Sequence, residues 1–354
     1  MKKTLYLSLT LLGILAFHAT AWGQNIPNTF TYEKHNDFIN PASQNNIFFL
    51  KDELDRGKEF KFRLAATGRY HFSNHPTGPK TVFLSGAWRL YTKWNNRLED
   101  QGRIFLGVNG YTDKFGPTAT SMLNARFAFL FMQPEKNGGN YGLSVGANVG
   151  LNRFRVFASD VFFVDGNDAF STNLGTSNQT NLSAGLYGFV RISQSKRALK
   201  NTFFAGISWH NLVGSDEISF GQDPNLFFFN HITYTNILGG MIFDLGKFRY
   251  IELATWIKYG TNSDRISIST PMSYNFSSKF LIFKRDFWLT AASTYSSLIP
   301  EPYSAVNLKL GFGFSLNVLS NAEILDIEFA AEALSKYWQD FGSTFEVSVS
   351  YSRG

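Results

Sequence analysis

Apolar and polar residues alternate with a period of two over long stretches of this chain. From Phe60 to Phe72 the even positions read Phe60, Phe62, Leu64, Ala66, Gly68, Tyr70 and Phe72, while Lys61, Arg63, Arg69 and His71 fall on odd ones. Successive side chains of a strand point to opposite faces, so this segment is a strand with one apolar and one cationic face. The pattern recurs: Val82, Leu84, Trp88 and Leu90 oppose Ser85, Arg89 and Lys93. Towards the end, Leu308, Leu310, Phe312, Phe314 and Leu316 oppose Asn307, Lys309, Ser315 and Asn317. Leu325, Ile327 and Phe329 oppose Asp326, Glu328 and Glu332, and Phe345, Val347, Val349 and Tyr351 oppose Glu346, Ser348 and Ser350.

Segments of this kind predict fourteen strands, near residues 59–72, 80–94, 102–116, 121–133, 140–156, 180–193, 202–213, 231–246, 250–260, 264–276, 287–297, 305–317, 322–334 and 343–354. They are long against the ~5–6 residues of an ordinary soluble strand, and a tilted strand crossing a bilayer needs about 9–11. The fold expected is all-β, a transmembrane antiparallel β-barrel of about fourteen strands; the bland alternative is a large secreted sandwich. An even count puts both chain ends on one side, and the longest connections, 157–179 and 214–230, then fall on the other. A Lys or Arg on the lipid side at the bilayer midplane costs roughly 2–4 kcal/mol, so the charged faces must line the lumen. Closure sets the first strand beside the last. We therefore expect a lumenal charge network of Lys61, Arg63 and Arg69 with Asp326, Glu328, Glu332 and Glu346; the alternative is a solvated wall with no specific pairing.

Composition agrees. Aromatic residues make up 17% of the chain and charged residues 17%, with 30 Gly and no Cys. Mean hydropathy is −0.13, and no stretch reaches the roughly 18 apolar residues of a membrane helix. The lack of cysteine excludes disulfides, thiolate zinc sites and a cysteine nucleophile. Lys2 and Lys3, the apolar run Leu5–Phe17 and the small residues Ala19 and Ala21 read as a secretory signal peptide over residues 1–23. A segment 24–58, periplasmic or plugging, then leads to a barrel over 59–354. Removing the leader lowers the formal charge from +6 by the two lysines to +4, which makes no case for nucleic acid. The seven tryptophans, Trp88, Trp209, Trp256 and Trp288 among them, fit aromatic girdles at the membrane interfaces.

Chemistry-bearing motifs are few. Gly142-Leu143-Ser144-Val145-Gly146 matches a nucleophile elbow but sits in an alternating stretch, where a strand serine is the better reading. His71 and His75 flank a turn, His210 ends a strand on the lumenal face, and Asp165-Gly166-Asn167-Asp168 lacks the rest of a calcium loop. We expect no catalysis, metal or cofactor. Phe227-Phe228-Phe229 in an outer connection offers a surface contact, unless that loop folds over the lumen.

Before the first strand stands Phe30-Thr31-Tyr32-Glu33-Lys34-His35-Asn36-Asp37-Phe38-Ile39-Asn40-Pro41-Ala42-Ser43. With Asn181–Gly188 and Phe204–Leu212 it resembles the PorP/SprF family of type IX secretion outer-membrane proteins. The chain departs from that pattern after Asn40-Pro41-Ala42, where Ser43-Gln44 replace an aromatic and Gly, and at its end. The resemblance implies an outer-membrane barrel that assists secretion or surface tethering of cargo in the type IX secretion and gliding system. Its partners would be outer-membrane lipid, secretion subunits and the C-terminal signal domains of cargo. The rival readings are a fatty-acid-transporter-like channel for small hydrophobic molecules, which also carries Asn-Pro-Ala, and an outer-membrane hydrolase. In physical terms Asn40-Pro41-Ala42 fits a segment that plugs or caps the barrel mouth.

Overall fold

The computed structural model describes residues 35–43, 61–70, 80–93, 101–115, 118–136, 139–156, 176–193, 200–213, 218–219, 228–229, 233–246, 249–260, 272–283, 287–296, 306–317, 323–334 and 344–353. One helical turn, α1 (Asn36–Ile39), precedes the strands β1 (Phe62–Tyr70), β2 (Lys80–Lys93), β3 (Gln101–Phe115), β4 (Thr118–Lys136), β5 (Gly139–Val156), β6 (Thr176–Ser193) and β7 (Lys200–His210). After them come β8 (Ile218–Ser219), β9 (Phe228–Phe229), β10 (Tyr234–Gly246), β11 (Arg249–Gly260), β12 (Met272–Phe283), β13 (Phe287–Ser296), β14 (Val306–Asn317), β15 (Glu323–Leu334) and β16 (Phe345–Arg353). Fourteen strands close into one barrel, each beside its chain neighbour, while β8 and β9 pair separately as a small ribbon. The seam is β1 against β16, in antiparallel register from Phe62 opposite Arg353 to Tyr70 opposite Phe345.

Thirteen of the fourteen expected strands lie where alternation put them. The tenth is displaced: β12 runs Met272–Phe283 and shares only 272–276 with the expected 264–276, whose remainder lies outside the described residues. The connections on the side of the chain ends are 94–100, 137–138, 194–199, 247–248, 284–286 and 318–322, all short. Those opposite include 157–175 and 211–233. Short turns on the periplasmic side and longer outer loops are the bacterial barrel's habit.

Burial is inverted relative to a water-soluble protein. The outward face is apolar and exposed, with Leu84 at 57% and Leu123 at 62%. The inward face buries charge, with Arg63 at 5% and Glu346 at 1%. Full burial of a Leu or Phe stabilises by roughly 1.5–3 kcal/mol, so only a hydrocarbon solvent makes this outer band tolerable. β1 follows the alternation without a break, Arg63, Ala65, Thr67 and Arg69 inward, Leu64 and Tyr70 outward.

The lumen is not polar throughout. Phe105, Leu130, Phe189, Phe204, Leu238, Ile242, Trp256 and Trp288 form a buried apolar layer. Several of its rings lie over a cross-strand glycine: Phe189 over Gly142, Phe204 over Gly240 and Trp288 over Gly313, each within 2.4 Å of where a Cβ would stand. Trp256 and Trp288 are therefore interior filling, not members of an interface girdle; Trp88 and Trp209 are exposed outside.

Candidate functional site

Residues 35–43 are buried and dock against side chains and carbonyls of the lumenal wall. Their local fold follows from the sequence. Asn40 N–H donates to Asn36 O at 2.8 Å and closes the single turn of α1. Asn40 then turns extended, with φ −147° and ψ 114°, because Pro41 disfavours the helical region for the residue before it. Ala42 N–H donates to Asn40 Oδ1 at 2.9 Å and Ser43 N–H to Asn40 O at 2.9 Å. Asn40-Pro41-Ala42-Ser43 is thus a β-turn with Pro in its second place, doubled by an Asx turn.

Side chains and carbonyls from eight wall strands hold this segment. The Asn40 side-chain amide donates to Leu186 O at 2.8 Å in β6 and to Ile207 O at 3.2 Å in β7. Arg126 of β4 donates from Nε to Pro41 O at 2.7 Å and from its terminal nitrogen to Ser43 O. Asn236 Nδ2, Ser208 Oγ and His210 Nε2 converge on Ile39 O, the first at 2.8 Å and the last at 2.9 Å. Asn148 Nδ2 donates to Asp37 O at 3.2 Å, and Asn109 Nδ2 to Asp37 Oδ2 at 3.0 Å. At the seam His35 reaches Thr67 Oγ1 at 2.7 Å and Ser85 Oγ at 3.2 Å, and Thr67 in turn meets Ser348 Oγ of β16 at 2.7 Å. Phe38 enters a pocket of Phe83, Tyr111 and Met122, edge-on to Phe83 with centroids 5.7 Å apart. Ile39 and Ala42 rest on the apolar layer.

Three glycines make the room. A Cβ on Gly185 would stand 2.1 Å from Asn40 Oδ1, one on Gly206 2.6 Å from Asn40 Nδ2, and one on Gly146 2.4 Å from Pro41 O. Gly146 and Gly185 face each other across the β5–β6 ladder. Burial pushes the Asp37 carboxyl above its ordinary range; Arg126, the Asn109 hydrogen bond and Arg63 pull the other way without cancelling it.

The expected charge network separates into parts. Arg63, Arg69, Asp326, Glu328 and Glu346 are all buried on the lumenal face. Arg69 lies directly opposite Glu346 across the seam. Asp326 accepts hydrogen bonds from Ser315 and from Ser350, the latter at 3.4 Å. Lys61 is exposed at the periplasmic end of the seam. Glu328 stands in the row of Ser348 and Thr67, six residues along the strand from Lys61, or roughly 20 Å at the usual rise, so those two do not meet. The Glu332 side chain lies outside the described residues; its backbone pairs with Lys309. Phe227, His71, His75 and Asp165–Asp168 also lie outside them, and of Phe228 and Phe229 only the backbone of β9 is described. Ser144 is a buried strand residue inside β5, so no elbow forms there.

Sequence reasoning passed over Arg126, Asn109, Asn148, Ser208, Asn236 and the glycine cradle. Their signal was present: uncharged polar residues recur on the inward parity of β3–β7 and β10 where a wet channel would suit charge equally well.

A family model for the type IX secretion system membrane protein PorP/SprF matches residues 57–351. The chain belongs to the PorP/SprF family. Residues 35–43 precede the matched span, so the family assignment rests on the barrel and not on Asn40-Pro41-Ala42. Membership, with the inverted burial, makes this PorP/SprF chain an outer-membrane β-barrel. No curated protein matches it. Among solved structures it is similar to the Pseudomonas putida toluene transporter TodX, at 10% identity, 95% of this chain, 99% of that one and a TM-score of 0.41. It is likewise similar to the CymD monoaromatic hydrocarbon channel, at 13% identity, 95% and 94% coverage and a TM-score of 0.41. The beta domain of the Bordetella autotransporter Brka gives 9% identity, 83% and 98% coverage and a TM-score of 0.41. Likeness at this level carries nothing about function.

Proposed function

We propose that this barrel serves the type IX secretion and gliding system in the outer membrane, assisting the secretion or surface tethering of cargo proteins. The observation that carries the reading is the family match across residues 57–351. The expected partners are secretion subunits and the C-terminal signal domains of cargo, met at the rim that bears connections 157–175 and 211–233. This role needs neither catalysis nor a cofactor. Cross-linking in intact membranes followed by pull-down tests it: secretion components or surface proteins co-purify with the barrel, and a barrel recovered without any of them overturns the reading.

The apolar layer in the lumen favours a second reading, a route for small hydrophobic molecules. Against it, that layer is packed by its own rings and by Ile39 and Ala42. Hydrocarbon and fatty-acid uptake by a deletion strain separates the two: unchanged uptake with lost surface proteins supports secretion, and the reverse supports transport.

A further inference from the structure

The wall grips residues 37–43 mainly by their backbone. The carbonyls of Asp37, Ile39, Pro41 and Ser43, every second residue, each accept from wall side chains. Main-chain recognition of this kind gives affinity with little regard to side chains, and specificity then comes from the few that are read. Here the reading is concentrated at Asn40-Pro41-Ala42. Asn40 alone donates to two strand carbonyls. Pro41 brings no N–H that the wall would have to satisfy. Ala42 must be small, because it is fully buried and packed into the apolar layer of the lumen. The matched family span begins at residue 57, so the barrel is recognisable without this occupant. The occupant is also imperfect: Asp37 carries a carboxylate into a buried site that disfavours its charge.

We propose that this part of the lumen is a peptide-binding site for a turn of the Asn-Pro-small type, which residues 37–43 fill in cis and which a second polypeptide of the same chemistry can fill in their place. The inference stands or falls separately from the secretion reading. The tethered segment competes at the high effective concentration a short linker confers, so an incoming peptide binds well only when the resident segment is out.

The test uses the full chain carrying Ala42→Lys. Its folding is checked by heat-dependent gel migration, and release of the segment by tryptic cleavage after position 42. A fluorescent synthetic peptide of residues 35–43 is then titrated and followed by anisotropy. The site predicts saturable binding to the variant, binding at least about ten-fold weaker to the parent because its tethered segment competes, and none for a peptide with Asn40→Ala. Failure of the peptide to bind a folded, cleaved variant overturns the proposal, as does equal binding to the parent or equal binding of the Ala peptide. A folded variant that resists cleavage also overturns it, since the turn would then tolerate a long side chain. If Ala42→Lys yields no heat-modifiable barrel, full-length Asn40→Ala replaces it, with release followed by the reactivity of an added Ser43→Cys.

Discussion

Arg69 and Glu346 stand directly opposite each other where the first strand of the barrel meets the last, both buried on the lumenal face. One row further in, Thr67 bonds Ser348, and His35 reaches the same Thr67 hydroxyl. The closure of the barrel and the docking of its N-terminal segment are therefore joined through shared side chains.

The opposition of charges at the seam predicts coupling. Arg69→Glu sets two carboxylates against each other, and Glu346→Arg two guanidinium groups. Each single change lowers the temperature at which the heat-modifiable form is lost. The double reversal recovers much of the loss, with a coupling on the order of 0.5–3 kcal/mol, as for buried neighbours in general. Additive losses would show that the two do not interact.

Gly185→Ala drives a methyl group into the Asn40 side chain, since the added Cβ would stand 2.1 Å from Oδ1. Overpacking costs about 1–3 kcal/mol, and moving the segment is easier than moving the strand. Limited proteolysis should then cut within residues 35–43 at least several-fold faster than in the parent. Gly188→Ala is the control, because its nearest neighbour is 3.6 Å away, and it should leave the rate unchanged.

Arg126 supplies two donors to the turn, at Pro41 O and Ser43 O. Arg126→Lys keeps the charge but loses the planar fork, leaving a buried carbonyl short of its donor at a cost of about 1–3 kcal/mol. The same proteolysis should report faster cleavage for Arg126→Lys. A parent-like rate would mean that charge alone suffices.

Docking should depend on pH through Asp37. Burial raises its carboxyl in the docked state above the ordinary value of 3.8, so the docked segment holds a proton that the released one gives up. Stability of docking is then complete below that ordinary value and is lost as pH rises through the raised one, levelling off beyond it. Hydrogen exchange of residues 36–43, measured across pH after correction for intrinsic rates, should show protection falling in that window. Asp37→Asn should flatten the profile, and an unchanged slope in that variant would assign the effect elsewhere.

The barrel was legible because one face of each strand meets hydrocarbon and the other carries charge, so alternation is strong where the membrane imposes it. It misplaced the end of β12, which runs on to Phe283, because Ser277-Ser278 breaks the alternation and Phe280-Leu281-Ile282-Phe283 is apolar at every position. The docking site was less legible. Gly146, Gly185 and Gly206 are unremarkable as single letters and become a cradle only once register sets Gly146 against Gly185 and Tyr187 against Gly206. Alternation fixes which face a residue takes but not which row it shares with the next strand. The same ignorance of register brought Lys61 and Glu328 together on paper, when the ladder keeps them six residues apart.

The central claim, that the barrel encloses its own N-terminal segment, is tested most directly by one cysteine. The chain has none of its own, and Ala42 is fully buried. In Ala42→Cys, assayed in native outer membranes with Asn178→Cys at an exposed strand position as reference, maleimide should label position 42 at least about a hundred-fold more slowly than position 178, with full labelling after heating, as expected of a group reached only through opening that costs a few kcal/mol. Equal rates in the unheated membrane would contradict the account.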